Sequence, residues 1–200
     1  ITFNRNSAGR QSVYAQYFES SRYFQEQNFM SVAAELNSRL FDGKGNNVLR
    51  FTWSHQDEPR SYVGDFFPTV DIMSTDKVTG SDTSAMFTTF GLDPFTYGNL
   101  RDVQTVIGTE EISYSAGKHN IIAGIQGEWN RAINGFMQGG AGWYIYDSWE
   151  SFKQDVLNPS ASTGPAAFMI THANLDDPTK QTFPSFDYTQ FSAYAQDEIN

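Results

Sequence analysis

The chain has 200 residues, no cysteine and a formal net charge of −10. The negative charge argues against nucleic acid or an anionic membrane surface as a partner, and the lack of cysteine excludes a disulfide framework or a cysteine zinc site. No apolar run approaches the ~18 residues of a transmembrane helix. Because the chain starts without methionine and its last residues follow a strand-like pattern, we expect it to be a piece of a longer protein.

The first quarter of the chain contains a loop, a weakly patterned stretch and a clear hairpin. Residues 1–9 are polar and are predicted to form a loop, and residues 11–25 alternate weakly, which favours a strand without excluding a helix. From 29 onwards, two alternating runs flank a turn at 42–47 that is rich in Gly and Asn. Because successive side chains of a strand point to opposite faces, this pattern predicts a β-hairpin at about 29–57.

A second hairpin is predicted at about 101–133, where a short turn containing Gly117 joins two long strand-type runs. In the second run, the odd-numbered positions from Ile121 to Trp129 are apolar apart from a glycine, and the even-numbered positions are mostly polar. This alternation covers eleven residues, 120–130. That is longer than the usual strand of about five or six residues, and close to the roughly 9–11 needed to cross a bilayer at a tilt.

The remaining stretches connect or follow the hairpins. Irregular loops are predicted at about 58–83 and 136–184, because both stretches carry Pro and Gly without a clear period. Residues 84–90 are strand-like, residues 91–100 form a turn-rich link, and a last strand is predicted at about 186–199.

Short turns therefore alternate with long loops along the chain. Transmembrane β-barrels have short turns at the periplasmic end and long loops outside, whereas long structureless loops are uncommon in compact soluble domains. The predicted fold class is all-β, an antiparallel transmembrane β-barrel segment with apolar side chains toward lipid and polar ones toward the lumen. The alternative is a soluble antiparallel β-sandwich with its apolar faces packed together, since periodicity alone does not separate the two.

Several short segments occur in a characteristic order along the chain. They are RFTW at 50–53, DFFP at 65–68, VDI at 70–72, GLDPFTYGN at 91–99, GKHN at 117–120, IIAGIQGEWN at 121–130, NGF at 134–136 and YAQDEI at 194–199. Together these segments resemble the barrel region of TonB-dependent outer-membrane receptors. The resemblance is to the large Oar-type receptors of Bacteroidota, which relate to the SusC-like importers. It covers most of residues 29–200, and the order of the motifs is its specific part.

The resemblance implies a parent barrel of about 22 strands around a plug domain, with residues 1–200 forming an arc of the wall and part of the ligand-facing loops. It implies the outer membrane of a Gram-negative bacterium as the location and outer-membrane lipid as the surroundings. The implied partners are the TonB complex, through parts of the parent outside this chain, and a surface lipoprotein lid of the SusD-like kind. The plug domain is expected to lie outside this chain.

Candidate catalytic and metal-binding residues are sparse. His55, His119 and His172 lie far apart without ligand spacing, and no EF-hand spacing joins the acidic residues. Loop carboxylates as Ca²⁺ ligands remain an alternative to solvated ones. Neighbouring Glu110 and Glu111 point to opposite faces of a strand and do not act as a catalytic pair. We expect no catalysed reaction, no cofactor and no metal. The acidic residues that could supply Ca²⁺ ligands are Asp57, Glu58, Asp65, Asp71, Asp176 and Asp177.

An aromatic cluster is the one site-like feature of the sequence. Trp143, Tyr144, Tyr146 and Trp149 follow a glycine-rich stretch inside the second long loop. Aromatic faces stack on sugar rings or pack on peptide side chains, so these four residues are the predicted ligand-binding residues. The alternative is that the cluster folds the loop onto itself.

The expected function is TonB-dependent uptake of a bulky nutrient, such as a glycan, peptide or chelate. One rival is a passive porin or adhesive barrel, which would lack a plug. Another is a soluble glycan-binding β-sandwich with the aromatic cluster as its site.

Overall fold

The computed structural model describes residues 1–10, 15–74, 85–174, 176 and 181–200. These ranges contain eleven β-strands and one α-helix, so the prediction of an all-β fold is confirmed. The elements are β1 Thr2–Ala8, β2 Gln16–Tyr17, β3 Tyr23–Leu40, β4 Gly45–Tyr62, β5 Thr69–Met73, β6 Met86–Phe90, β7 Leu100–Ala116, β8 His119–Gly135, β9 Trp143–Tyr146, α1 Trp149–Leu157, β10 Ala167–Met169 and β11 Ser185–Ile199.

Six strands form one antiparallel sheet, in the order β1-β3-β4-β7-β8-β11. The prediction of a loop at residues 1–9 is wrong, because Thr2–Ala8 pairs with β3 as the edge strand β1. The strands β3, β4, β7 and β8 have 17 or 18 residues each. They cover the hairpins expected at 29–57 and 101–133 and extend beyond them at both ends. The strand expected at 186–199 is β11, and β3 covers the C-terminal part of the weakly patterned stretch at 11–25, of which 11–14 lie outside the described residues.

Both hairpins close in very short turns at the same end of this large sheet. Between β3 and β4, Phe41, Asp42 and Gly43 have φ values of 56°, 54° and 87°, and between β7 and β8 Gly117 has a φ of 63°. A positive φ is readily adopted by glycine, whereas other residues rarely adopt it. The short reversals therefore depend on the turn residues that the sequence places there.

The two faces of the large sheet differ in polarity. On one face, a cross-strand row runs through Ala34, Phe51, Gly108, Gly127 and Phe191. We call this the apolar face. Its exposed apolar side chains include Val32, Leu36, Leu49, Phe51, Ile112, Ile121, Ile125, Trp129 and Phe191.

The opposite face carries polar side chains at the same level along the strands. The adjoining row consists of Glu35, Arg50, Thr109, Gln126 and Ser192. We call this the polar face. Because register fixes every side chain to one face, the contrast extends across five strands rather than one hairpin.

The longer connections all leave from the end of the large sheet opposite the two short turns. They join β1 to β3, β4 to β7 and β8 to β11. Within the described residues they build a second sheet in the order β10-β9-β5-β6-β2, with β2–β6 and β5–β9 parallel and the other pairs antiparallel. We call it the loop sheet. The prediction of irregular loops at 58–83 and 136–184 is therefore wrong at 58–62, which continue β4, and where β5, β9, β10 and α1 form. Short strands from separate connections, such as β5 and β9, pair with one another there. Residues 75–83, 175 and 177–180 of the two stretches lie outside the described residues.

The hydrophobic core lies in the loop sheet. Val70, Ile72 and Tyr146 are buried there, and Phe90 and Phe152 pack against them. The large sheet, by contrast, exposes apolar residues such as Ile125, which is 62% exposed, and Phe191, which is 82% exposed. Helix α1 begins with a capping box in which Ser148 and Ser151 each bond the other's backbone N–H. In the described part of the chain, no helix has the length and apolar character needed to cross a membrane.

Candidate functional site

Two of the four predicted ligand-binding residues are structural parts of the loop sheet. The indole Nε1 of Trp143 donates to Oδ2 of Asp71 at 2.9 Å, and its ring makes an edge contact with Phe95. Tyr146 is buried, and its hydroxyl donates to Asp155 at 2.5 Å. Burial and this hydrogen bond raise the pKa of Tyr146 to about 12. Both side chains therefore fold the loop, the alternative that the sequence left open.

Tyr144 and Trp149 hold different positions. Tyr144 packs on Phe168, with ring centroids 4.6 Å apart, and lies against the core. Trp149 begins α1, is 48% exposed, and lies beside Phe152 with ring centroids 5.6 Å apart. Of the four residues, Trp149 lines a cavity beside the loop sheet.

This cavity is a pocket of about 520 Å³ between α1, the end of β6 and the chain that follows β4. Its volume lies within the roughly 300–1,000 Å³ that is typical of small-molecule sites. Phe90 is the centre of the wall, since its ring makes contacts of 5.9, 6.2 and 5.7 Å between centroids with Phe18, Phe67 and Phe152. The apolar lining residues are Phe18, Val63, Phe67, Phe90, Trp149 and Phe152.

The polar side chains of the pocket are already engaged or lie at its edge. The Ser20 hydroxyl accepts a hydrogen bond from the backbone N–H of Gly91 at 3.1 Å, and the Thr88 hydroxyl donates to the backbone carbonyl of Gln16 at 3.0 Å. Asp65 is exposed and is the charged residue among the described lining residues. The pocket therefore offers aromatic surface with one carboxylate.

A network around Asp71 holds the pocket's supporting strands together. Both terminal nitrogens of Arg10 donate to the Asp71 carboxylate at 2.8 Å, and the Thr89 hydroxyl donates to the same carboxylate at 2.6 Å. Burial raises the pKa of Asp71, but hydrogen bonds from Arg10, Thr89 and Trp143 outweigh it and hold the pKa below its usual range. The bidentate geometry is the strong form of an Arg–carboxylate pair.

A second carboxylate, Asp93, lies next to this network. Its Oδ2 is 3.9 Å from Nε of Arg10, and its Oδ1 accepts hydrogen bonds from Phe95 N–H and the Thr96 hydroxyl. Burial raises the pKa of Asp93 above its usual value despite these contacts. Arg10 therefore interacts with two buried carboxylates, and its shorter contact is with Asp71.

The other candidate residues of the sequence do not converge on a site. Nε2 of His55 lies 2.9 Å from Asp102, Nδ1 of His119 lies 2.7 Å from Asp197, and Nδ1 of His172 lies 3.1 Å from the backbone carbonyl of Ala173. Within the described ranges, no group of three or more acidic, His or Cys side chains is arranged to hold a metal ion. Asp177, one of the acidic residues that could supply Ca²⁺ ligands, lies outside the described residues.

The acidic pair in β7 has the predicted strand geometry. Glu110 lies on the apolar face, opposite Ile125, and Glu111 lies on the polar face, opposite Gly124. Asn47 donates to Glu110 at 2.7 Å, and the Tyr194 hydroxyl donates to Glu111. The two carboxylates therefore have separate partners.

No pattern in the sequence indicates Arg10 and Phe90, the residues around which the network and the pocket are built. Arg10 lies in a polar stretch, and nothing in its neighbours indicates a partner 61 residues away. Phe90 ends a short strand-like run, which was recognised, but a single aromatic residue does not reveal which others will surround it. The sequence DFFP, which contains Phe67, was the available signal for an apolar surface near the pocket.

The sequence matches no protein-family model, and comparison with curated proteins and with solved structures finds no match.

Proposed function

We propose that this chain forms part of the wall of a transmembrane β-barrel, together with the external loops, in a TonB-dependent receptor that imports a bulky nutrient across an outer membrane. The observation that carries the proposal is the contrast between the two faces of the large sheet. A soluble sheet packs its apolar face against another layer. Here the second sheet lies beyond the strand ends, and the apolar face stays uncovered by the described residues, with Ile125 62% exposed.

The dimensions of the apolar face suit a bilayer. Along β8, the apolar positions run from Ile121 to Trp129. These eight residue steps correspond to about 27 Å along the strand, or about 20 Å across the membrane at a tilt near 40°. The outward apolar band of outer-membrane barrels is about 25 Å tall.

Polar residues end the apolar band on the side of the loop sheet. His55, Gln104, Arg131 and Asp187 form one cross-strand row there. Trp53 and Trp129 lie in the adjacent row two residues nearer the band centre. Aromatic residues followed by charged ones are the order found where a barrel leaves the hydrocarbon for the interface.

The polar face has the chemistry of a wet interior. Nε of Arg50 lies 2.6 Å from a carboxylate oxygen of Glu35, and Asn37 donates to the same carboxylate at 2.7 Å. A charged pair of this kind would be expensive in contact with lipid, whereas a water-filled lumen accepts it. Glu110, which lies on the apolar face opposite Ile125, is an exception to this separation, and its carboxylate accepts a hydrogen bond from Asn47 at 2.7 Å. In the proposed receptor the polar face is directed toward the lumen and the plug.

The position of the loop sheet supports the capture of ligand outside the cell. All three long connections are at one end, where outer-membrane barrels place their extracellular loops. Their compact folding gives the receptor a preformed external surface. In the proposed receptor, the TonB complex acts through parts of the protein outside this chain, and a surface lipoprotein lid is an expected partner.

The test is an electrophoretic comparison of the protein as its host makes it, extracted from membranes in detergent and run with and without heating. A heat-dependent mobility shift supports the barrel. A species near 22.5 kDa that is soluble without detergent and unaffected by heating would overturn it in favour of the glycan-binding sandwich.

A conductance measurement in planar bilayers then separates the receptor from a passive porin. A plugged receptor is expected to show no stable open conductance, whereas a porin conducts continuously. Stable open channels from the purified protein would therefore contradict the plugged arrangement.

A further inference from the structure

The pocket of the loop sheet has a composition that selects one class of ligand. Its walls present the rings of Phe18, Phe67, Phe90, Trp149 and Phe152. Three of these residues, Phe18, Phe67 and Trp149, remain between 48% and 50% exposed, so the aromatic surface is accessible. Flat rings of a ligand pack on such walls in offset or edge-to-face contacts.

A glycan is a poor match for this surface. Sugar hydroxyls need several hydrogen-bonding partners, and burying them without partners is unfavourable. Among the described lining residues, the side chains with oxygen atoms are those of Ser20, Asp65 and Thr88. The hydroxyls of Ser20 and Thr88 each already have one bond to the backbone, at 3.1 and 3.0 Å, which leaves the Asp65 carboxylate and the remaining capacity of two hydroxyls as oxygen partners. These are few partners for a sugar ring with several hydroxyl groups.

The charge at the pocket favours a cation. Asp65 supplies a carboxylate among the lining residues, and the whole chain carries a net charge of −10. Aromatic faces also attract ammonium groups through their quadrupole. An anionic ligand would meet repulsion at the mouth and no compensating cation among the described lining residues.

We propose that this pocket binds a small aromatic amine, with the ring between Trp149 and the phenylalanine wall and the ammonium group toward Asp65. The biological role of this binding, as the capture step of import, rests on the proposed function, whereas the binding itself does not.

The experiment measures binding of 5-fluorotryptamine by ¹⁹F NMR to the protein as its host makes it, in lipid nanodiscs, with empty nanodiscs subtracted. The matched ligand is 5-fluoroindole-3-acetate, which keeps the ring and reverses the charge. Saturable binding of the amine, with clearly weaker binding of the acid, is expected. Equal binding of the two, displacement by maltotriose, or no binding beyond empty nanodiscs would overturn the proposal.

Variants then locate the site. Trp149→Ala is expected to weaken binding of the amine about tenfold, because one aromatic wall is lost. Val156→Ala, on the same helix and 59% exposed, is the matched control and is expected to leave binding unchanged. Asp65→Asn is expected to weaken amine binding about twofold to fivefold. The ratio of the affinities for the amine and the acid should therefore decrease.

Val63→Trp is an independent test of the site, because Val63 lines the pocket but lies outside α1. The larger side chain is expected to fill the pocket and therefore to abolish saturable binding. Unchanged affinity in both Trp149→Ala and Val63→Trp would place the binding elsewhere and refute the assignment. If the protein proves soluble, the same titration runs in buffer, so failure of the barrel proposal and failure of the amine site give different results.

Discussion

Arg10 and Asp71 are 61 residues apart in sequence, and they form a bidentate pair with two N···O distances of 2.8 Å. Arg10 belongs to the first long connection and Asp71 to the second. Trp143, from the third connection, donates to the same carboxylate at 2.9 Å. The Asp71 carboxylate therefore holds the three long connections together. We call its contacts with Arg10 and Trp143 the anchor of the loop sheet.

Asp71→Ala should strongly destabilise the loop sheet, because Arg10 is left as a largely buried cation without its close partner. Breaking one side of a buried pair usually costs about 3–5 kcal/mol, and the side chains here are 22% and 6% exposed. The free energy of unfolding can be followed in denaturant by tryptophan fluorescence. The control is Lys153→Ala, which removes an exposed helix pair with Glu150 and should change stability by no more than about 0.5 kcal/mol. Equal losses of unfolding free energy in Asp71→Ala and Lys153→Ala would show that the contacts of Asp71 do not anchor the loop sheet.

Acid should weaken the same anchor. The pKa of Asp71 is held below its ordinary value in the folded protein, so the unfolded chain binds a proton first as the pH falls. The stabilisation is therefore fully present above about pH 4 and decreases as the pH falls through the lowered folded pKa. The difference in unfolding free energy between the wild type and Asp71→Asn should narrow below about pH 4. A difference that stays constant on acidification would show that the ionised carboxylate is not the stabilising group.

Gly91 and Gly64 form a matched pair for testing how tightly the loop sheet is packed. Both have a left-handed backbone, with φ of 82° and 79°. A Cβ on Gly91 would lie 1.8 Å from the carbonyl oxygen of Pro68, whereas a Cβ on Gly64 meets nothing within 4 Å. Gly64→Ala should cost only the backbone strain of about 1–2 kcal/mol, and Gly91→Ala should cost considerably more. The measurement is the melting temperature of each variant, which should be lower for Gly91→Ala than for Gly64→Ala. Similar melting temperatures would show that the backbone near Pro68 can move aside at little cost.

Apart from β1, the large sheet could be predicted from sequence because its pattern is local and long. The polar residues 1–9 predicted a loop, whereas Thr2–Ala8 forms strand β1. Between 120 and 130 the alternation alone separates the faces, and the short turn at Gly117 sets the pairing of β7 with β8. The neighbouring hairpin at 29–57 has the same character. A period of two that persists over a long strand leaves one register that keeps each face uniform.

The loop sheet was not predictable for the opposite reason. Strands β5 and β9 have five and four residues, too few for a period to be recognised, and glycine and proline around them indicated loops. They pair in parallel although they come from different connections. Their position depends on contacts distant in sequence, such as that of Arg10 with Asp71, which no local pattern encodes. The same limitation explains why the aromatic cluster was recognised while the core position of Tyr146 was not.

Ile125→Arg and Gln126→Arg test the proposal that the apolar face of the large sheet contacts lipid. The two residues are adjacent in β8 and point to opposite faces: Ile125 lies on the apolar face opposite Ala193, and Gln126 lies on the polar face opposite Ser192. If the apolar face contacts the hydrocarbon, Ile125→Arg should reduce the free energy of folding into lipid by about 2–4 kcal/mol near the midplane. Gln126→Arg should be tolerated, since its guanidinium reaches the lumen. The measurement is a folding titration in lipid vesicles with the protein as its host makes it. Equal loss in both variants would reject the assignment of faces, and a greater loss in Gln126→Arg would reverse it.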